Sequence, residues 1–358
     1  MLLVDRYRLT LNATLALGLS FLATPSLAQE IAAPSVQAAP SVTTAQSFLA
    51  AVQPSPTLQR VLNEAVTSIG RTDTKWLRSQ PRIAVLDLSD PKNPKLAEVR
   101  GRESVYPASV VKFVYLMAAY AWQEQGRLRI DDSLDLQLKE MIRESSNQAT
   151  RQVFARLTQT EPGPELPTKE YAEFRERRMS VKRWLESLGV QGLHAVNPTY
   201  DGGGDLFGRD QQFLRDASVQ GGLASTQGGY SNRQAMTAVA TVELLALLAT
   251  NHALTPEDST AVRVRMKRSL AEQPHLVHRI TGGAASFAGS QVSAKSGTWG
   301  PIYADAGLVR SASGAEFAIA VFTDSTPPYR GEAIAELTRL IAAHLFASAP
   351  NVGRKEDP

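Results

Sequence analysis

A segment that is apolar on nearly every side most strongly constrains how this chain can fold. It covers residues 109–125 and contains a dense set of apolar side chains: Val110, Val111, Phe113, Val114, Leu116, Met117 and Ala118. A helix that is apolar on most faces is usually buried all round, so the pattern predicts a central helix. A chain of 358 residues is long enough to bury it, within one large domain or two smaller ones.

The apolar spacing elsewhere predicts an α/β (α+β) fold. A helix over about 56–70 is followed by two strands that a turn joins, at 82–88 and 96–99. Further elements are predicted as helices at about 134–157, 169–188, 233–250 and 256–270, strands at 291–296, 304–310 and 316–322, and a last helix at 331–346. Strands from both ends of the chain must then share one five-stranded antiparallel sheet, flanked by helices and with an all-helical lobe to one side.

The amino terminus has the three-part layout of a secretory signal. Arg6 and Arg8 precede an apolar stretch too short for a comfortable membrane span, and Ser26 and Ala28 offer small residues to a signal peptidase. The predicted organisation is a signal peptide over 1–28, a flexible Ala/Pro-rich linker over 29–55 and one folded domain over 56–349. We therefore expect an exported protein, periplasmic or extracellular, with no stable membrane span; an uncleaved amino-terminal anchor is the alternative.

The composition excludes several kinds of function. The chain has no cysteine, which excludes disulfides, thiolate catalysis, cysteine zinc sites and a lipoprotein anchor. The net charge is only +3 and basic residues are scattered, apart from a short run at 263–268, so no nucleic-acid partner is expected. His275 and His278 lack a third ligand or an H-E-x-x-H motif, so neither a metal nor another cofactor is expected.

The predicted central helix begins with an S-x-x-K element formed by Ser109 and Lys112. Residues three apart share one helix face, so the hydroxyl and the amine can approach each other. A serine becomes a nucleophile when a base takes its proton, and a lysine can be that base if burial lowers its pKa. A free N–H at the helix start would also face a developing oxyanion. Alone the element is weak, because Ser109 could be a helix N-cap and a second S-x-x-K, at Ser89 and Lys92, lies in a turn.

Two short elements downstream strengthen this interpretation: Ser145-Ser146-Asn147 and Lys295-Ser296-Gly297-Thr298. With the first element they form the ordered set S-x-x-K, S-x-N and K-[S/T]-G. This set resembles the signature of class A β-lactamases and penicillin-binding proteins, and the resemblance extends from about residue 56 to 348. It implies a β-lactamase/transpeptidase-like fold and a covalent serine mechanism.

The resemblance implies roles for four residues of the first two elements. Ser109 would attack an amide carbonyl and become acylated, while Lys112 would take its proton, directly or through Ser145. Ser145 would pass a proton to the departing nitrogen, and Asn147 would hold the substrate's side-chain amide. The alternative for Ser145 and Asn147 is a structural role as helix caps.

The third element would bind the substrate. Lys295 would supply positive potential and help to depress the pKa of the neighbouring lysine, because like charges disfavour each other. Lys295, Ser296 and Thr298 would bind the substrate carboxylate beside Gly297, and the N–H groups of Thr298 and the nucleophile would form the oxyanion hole. The alternative for Lys295 is an exposed strand residue.

The chain departs from the class A pattern at the step that releases the acyl group. Class A enzymes carry a glutamate in an omega loop after the second element, where it activates water. The matching stretch here, 195–201, contains no glutamate, and Asp201 is the carboxylate nearest the expected place and so a possible deacylation base. Glu161 and Glu165 lie in a similar string that precedes the helix the loop should follow, so we interpret that string as a decoy.

Three functions remain open. A hydrolase of β-lactams is favoured by the overall resemblance. A penicillin-binding peptidase or esterase acting on D-alanyl peptides is favoured by the missing glutamate. Ser146 where aspartate is usual and the long segments 158–180 and 202–230 are further departures from class A that argue against efficient deacylation. A non-catalytic binding protein on the same fold is disfavoured by the intact set. The expected substrate is a small molecule, a β-lactam or a D-alanyl peptide, and the expected state is a monomer. Trp299 and Tyr303 either line the cleft or pack in the core.

Overall fold

The elements of the fold follow the order that the sequence predicts. The computed structural model describes residues 42–201, 206–225 and 227–348, so the predicted signal peptide lies outside the described part of the chain. The α-helices are α1 (Val42–Ala50), α2 (Pro56–Thr72), α3 (Thr74–Arg78), α4 (Lys112–Glu124), α5 (Asp132–Arg143), α6 (Asn147–Thr158), α7 (Thr168–Arg178), α8 (Ser180–Ser187), α9 (Gly208–Arg215), α10 (Ala238–Ala249), α11 (Pro256–Met266), α12 (Ile280–Ala284) and α13 (Ala333–Ser348). Short 3-10 helices cover Ala108–Val111, Gln227–Gly229 and Pro274–His278. The strands are β1 (Gln53–Pro54), β2 (Arg82–Asp87), β3 (Lys95–Val99), β4 (Leu193–His194), β5 (Leu223–Ser225), β6 (Tyr230–Arg233), β7 (Ala235–Met236), β8 (Lys267–Arg268), β9 (Gln291–Trp299), β10 (Ile302–Arg310) and β11 (Glu316–Asp324).

The main sheet has seven strands rather than the five expected, in the order β1-β3-β2-β11-β10-β9-β8. The five long central strands are antiparallel neighbours, as predicted. The two additional strands are two residues each: β1 pairs in parallel with β3, and β8 pairs antiparallel with β9. Two residues carry no recognisable alternation, which is why the predicted strand count was wrong. The mixed class, with helices flanking the sheet, is confirmed.

Helices bury both faces of the sheet, so its strands are apolar on both sides. In β2, Ala84 and Leu86 pack into the core that contains α4 and α10, while Ile83 and Val85 pack into the core that contains α2 and α13. Every residue of α4 from Lys112 to Trp122 is buried. The apolar segment therefore forms the central helix that its pattern predicts, although a 3-10 turn precedes the α-helix.

The second half of the predicted flexible linker is folded. Within residues 42–55 the chain forms α1 and β1, and Ala45 and Phe48 are buried in the core around α4. The Phe48 ring also stacks on His252, with ring centroids 4.9 Å apart. A nine-residue helix is too short to show a convincing period in an Ala-rich segment, and packing against the core stabilises it instead.

Two helices that the spacing predicts as continuous are each broken in the structure. The segment 134–157 divides into α5 and α6, and 169–188 divides into α7 and α8. Between α5 and α6, Ser145 has a φ of 57°, a left-handed conformation that a helix interior cannot contain. Ser145 therefore lies outside both helices, between the carboxyl end of α5 and the start of α6.

The described parts of the glycine-rich segment, residues 206–225 and 227–230, contain regular secondary structure. They include α9 and β5, which pairs antiparallel with β6, and Phe213 of α9 is buried beside Phe174 and Val196. Among the described helices, none combines the length and apolarity needed to cross a bilayer.

Candidate active site

Ser109 lies in a strained turn at the start of the central helix. The 3-10 turn Ala108–Val111 leads directly into α4, and its cap positions are Pro107 and Lys112, so Ser109 is not a helix N-cap. Ala108, immediately before it, has a φ of 48°, a conformation that costs a non-glycine residue about 1–3 kcal/mol. Ala108 and Val110 are buried, whereas Ser109 is half-buried. The turn therefore holds the serine hydroxyl at the surface of a buried scaffold.

The Lys112 amine is buried and bound on several sides. Its Nζ donates to the Ser145 carbonyl oxygen at 2.5 Å, to Asn147 Oδ1 at 2.7 Å and, more weakly, to Ser145 Oγ at 3.4 Å. Burial lowers the pKa of Lys112 from 10.5 to about 7, while the charge of Asp201 acts in the opposite direction. Near neutral pH a large fraction of the molecules thus carries an uncharged amine beside the turn that holds Ser109.

Lys295 approaches the same point from β9. Its side chain is buried, so the alternative of an exposed strand residue is wrong, and its Nζ donates to Ser145 Oγ at 2.9 Å and to the Ser296 carbonyl oxygen at 2.8 Å. Burial lowers the pKa of Lys295 well below its usual value, and the neighbouring charge of Lys112 lowers it further. The Ser145 hydroxyl consequently lies between two buried amines.

The neighbouring Ser146 supplies the helix cap that was considered for Ser145 and Asn147. Ser146 is the N-cap of α6, and its Oγ accepts from the Ala149 N–H at 3.1 Å. Serine and aspartate both cap helices well. The serine at this position of the second element therefore retains a structural role that an aspartate could also perform, and it leaves Ser145 free to face the lysines.

Gly297 allows β9 to pass against the turn that holds Ser109. A Cβ added at Gly297 would lie 2.8 Å from the Pro107 carbonyl oxygen and 3.1 Å from the backbone N of Ser109. A side chain here would force the strand and the turn apart. The glycine thus brings the backbone of Thr298, the next residue, close to the backbone N–H of Ser109.

Asn147 connects the lysine with Asp201. Its Oδ1 accepts from Lys112, and its Nδ2 donates to Asp201 Oδ1 at 2.6 Å and to the Tyr200 carbonyl oxygen at 3.3 Å. The amide predicted to hold a substrate thus already has a partner for each of its polar atoms. Asp201 is exposed, at the end of the segment that follows β4.

The two glutamates of the look-alike string lie elsewhere. Glu161 and Glu165 are exposed, and Glu165 forms an ion pair with Arg215 of α9 at 3.4 Å. The structure brings Asp201, and not this string, to the Lys112 and Asn147 pair.

Arg279 is a neighbour of the site that the sequence did not reveal. It is buried, it donates from Nη2 to Thr298 Oγ1 at 2.7 Å and from Nη1 to the Ala304 carbonyl oxygen at 2.6 Å, and its guanidinium lies 3.5 Å from the Tyr303 ring centroid. Tyr303 is therefore a packing residue, whereas Trp299 is 51% exposed. No motif marks Arg279, because its position just before α12 is near β9 and β10 only in the folded chain.

The fold and this arrangement define the class of β-lactamase/transpeptidase-like serine hydrolases: a central helix begins at the serine, and a sheet strand brings a second lysine to it. The chain belongs to the beta-lactamase enzyme family, whose model matches residues 64–161 and 177–345. A comparison with curated protein sequences finds no match.

Solved structures with the same fold include both β-lactamases and a penicillin-binding protein. A β-lactamase from Chitinophaga pinensis DSM 2588 is 18% identical, with a TM-score of 0.56 over 80% of this chain and 99% of that one. A β-lactamase from Sphaerobacter thermophilus DSM 20745 is 16% identical, with a TM-score of 0.53 over 75% and 93%. PBP-A is 17% identical, with a TM-score of 0.51 over 82% and 98%. At these identities the likeness establishes the fold and not the substrate.

Proposed function

We propose that this protein is a serine hydrolase that forms an acyl-enzyme at Ser109 with β-lactams or related amides. The observation that carries the proposal is the meeting of two buried lysines at Ser145 Oγ, with the pKa of Lys112 lowered to about 7. A structural role does not account for two buried amines beside one half-buried serine, because burying two like charges together is costly.

In the acylation step Lys112 is the base, and Lys295 supplies positive potential. The uncharged Lys112 amine accepts the Ser109 hydroxyl proton, the Ser109 oxygen bonds to the carbonyl carbon, and the carbonyl oxygen takes the negative charge between the N–H groups of Ser109 and Thr298. The carbon–nitrogen bond then breaks, and the nitrogen receives through Ser145 the proton that Lys112 took. Lys295 and Arg279, which lie at and beside β9, supply positive potential for a substrate carboxylate.

Deacylation requires a water molecule and a base. We assign this role to Asp201, which would take a proton from water while the water oxygen attacks the ester carbonyl; the ester bond then breaks and Ser109 recovers a proton. Asp201 is supported by its contact with Asn147 and its charge beside Lys112. It is also exposed and hydrogen-bonded by Asn147, so we expect slow deacylation.

The test is the intact mass of the protein after brief and prolonged exposure to benzylpenicillin. We expect an added mass equal to the drug, absent in Ser109→Ala and retained in Ser89→Ala, which alters the serine of the other S-x-x-K string. Consumption of the drug by the Ser109→Ala variant would contradict acylation at this residue. So would the absence of both an adduct and drug consumption in the native protein.

The exposed position of Asp201 favours a second candidate function, that of a penicillin-binding peptidase. An acyl-enzyme that water resolves slowly is what penicillin-binding proteins form with β-lactams, and a PBP-A variant is known as an acyl-enzyme complex with penicillin G. Turnover of a peptide ending in D-alanyl-D-alanine, alongside a persistent penicillin adduct, would support this candidate. Rapid penicillin turnover without peptide turnover would exclude it.

A further inference from the structure

An exposed indole lies beside the candidate active site. Trp299 is the last residue of β9, directly after Thr298, and is 51% exposed. Its ring meets the ring of Tyr106 edge to face, with centroids 5.4 Å apart, and Tyr106 precedes Ser109 by three residues. Tryptophan is enriched at protein interfaces, where its apolar ring is covered and its polar end can meet water.

Arg233 covers both rings from the last residue of β6. Its guanidinium lies 4.4 Å from the Tyr106 ring centroid and 5.5 Å from that of Trp299. Backbone hydrogen bonds between Val105 and Met236 fix the two segments against each other. We refer to Tyr106, Arg233 and Trp299 as the aromatic–arginine rim.

The Arg233 guanidinium has five N–H groups, and its hydrogen bond with Tyr106 uses only part of them. The side chain is half-buried, and no ion pair between Arg233 and a carboxylate is found among the described residues. A guanidinium stacked on aromatic rings keeps its in-plane N–H groups available, in a fork that matches a carboxylate. The rim therefore offers an apolar ring surface and a cationic fork side by side.

The strand geometry places the rim on the face of β9 that meets the turn holding Ser109. Successive side chains of β9 point to opposite faces, so Trp299 shares a face with Lys295 and Gly297, which lie against that turn. Thr298 points to the other face and contacts Arg279 there. Tyr106 of the rim precedes Ser109 by three residues, so the rim lies beside the residue that would carry the acyl group.

We propose that the aromatic–arginine rim selects acyl donors whose side chain carries a carboxylate next to an apolar or aromatic group. This inference rests on the proposed acyl-transfer function and names the substrate class of the same site. Arg233 would bind the side-chain carboxylate, and Trp299 would cover its apolar part.

The test compares two penicillins that differ by a single carboxylate on the same phenylacetyl side chain, carbenicillin and benzylpenicillin. Their affinities are measured by calorimetry in the Ser109→Ala background, where no acylation interferes. We expect carbenicillin to bind about tenfold more tightly, a preference that Arg233→Gln removes. Arg127→Gln is the matched control, because Arg127 also lies over an indole, 4.1 Å from the Trp122 ring centroid, but it follows the carboxyl end of α4, whereas Ser109 precedes the amino end.

Each outcome decides the inference. A carbenicillin preference that disappears in Arg233→Gln and persists in Arg127→Gln supports it. Equal affinities, a preference that survives Arg233→Gln, or no binding of either drug would overturn it. Adduct formation by the native protein is measured separately: its absence would remove the acyl-transfer proposal, while the binding preference would still report on the rim.

Two peptide substrates distinguish whether the side chain that binds the rim belongs to a cell-wall-type peptide or to a β-lactam. Tripeptides ending in D-alanyl-D-alanine, with glutamate or glutamine as the first residue, present the same carboxylate and its neutral counterpart. A preference for the glutamate peptide that also depends on Arg233 would identify cell-wall-type peptides as the ligands. A preference confined to the penicillins would identify β-lactams.

Discussion

The two halves of the candidate active site differ in how firmly the fold holds them. The acylating half joins the start of the central helix, the break between α5 and α6, and β9 of the main sheet, and its two lysines are buried. The other half is the exposed carboxylate of Asp201, held through Asn147 at the end of a loop. The comparison teaches that, under the proposed function, the core of the molecule holds the residues that form the acyl-enzyme, whereas the residue proposed to resolve it lies on a segment that can vary without disturbing that core.

The largest expected effect is on the acylating half. Lys112→Met keeps the length of the side chain but removes the base, so the acylation rate should fall by about 10²–10⁴-fold. The melting temperature should not fall, because a buried amine is replaced by an apolar group. Rates of penicillin adduct formation by mass spectrometry provide the measurement, with the exposed Lys139→Met as control. Unimpaired acylation in Lys112→Met would assign the base to another group.

A smaller effect should follow from separating the strand and the turn. The Cβ of Gly297→Ala would meet the Pro107 carbonyl oxygen and the Ser109 backbone. A displacement of about 1 Å at the reacting atoms should slow acylation by about 10²-fold. Gly126→Ala, at a remote glycine where an added Cβ meets nothing within 4 Å, should reduce stability and leave acylation intact. Equal acylation by both variants would show that the close approach is not needed.

The exposed half should respond at a different step. Asp201→Asn should slow deacylation by about 10–10²-fold and change acylation by no more than about threefold. Glu165→Gln, which alters the carboxylate of the look-alike string, should change neither rate. The decay of the adduct after removal of free penicillin measures the effect. A loss of deacylation in Glu165→Gln with none in Asp201→Asn would reverse the assignment.

The smallest expected effect is a pH dependence of the acylation rate, to which both halves of the site contribute. Because the pKa of Lys112 is lowered to about 7, the uncharged base accumulates as pH rises, so acylation should increase about tenfold between pH 6 and 8. The charge of Asp201 raises the pKa of Lys112, so Asp201→Asn should move the midpoint to lower pH. Stopped-flow acylation across this range gives both midpoints. A midpoint that stays fixed in the variant would mean that the two groups do not interact.

The sequence predicted the parts of the molecule that depend on local pattern. The central helix, the long strands and the three short elements with Ser109, Ser145 and Lys295 follow from apolar spacing and motif order. The two-residue strands and α1 did not, because so few residues carry no period and are stabilised by the chain they pack against.

The neighbours of the site were harder to predict than its central residues. Arg279 and Arg233 reach the cleft from segments that are far from the motifs in the chain, and nothing in their local sequence distinguishes them from other arginines. Asp201 was predicted only as the nearest carboxylate in a stretch that resembles the family poorly. Its contact with Asn147 depends on the path of the whole segment after β4.

The two buried lysines also link folding to proton uptake. Both have pKa values lowered in the folded chain, so an unfolded chain binds more protons between about pH 7 and 10.5, and the free energy of unfolding should rise with pH across that window. In acid, both amines are charged in the folded chain, and their burial lowers the free energy of unfolding by its full amount. In alkali, both amines are neutral and this reduction of the free energy of unfolding disappears. Titration calorimetry in buffers of different ionisation enthalpy would register this as protons taken up on unfolding, a thermodynamic signature of the same pair of amines that the proposed mechanism uses to activate Ser109.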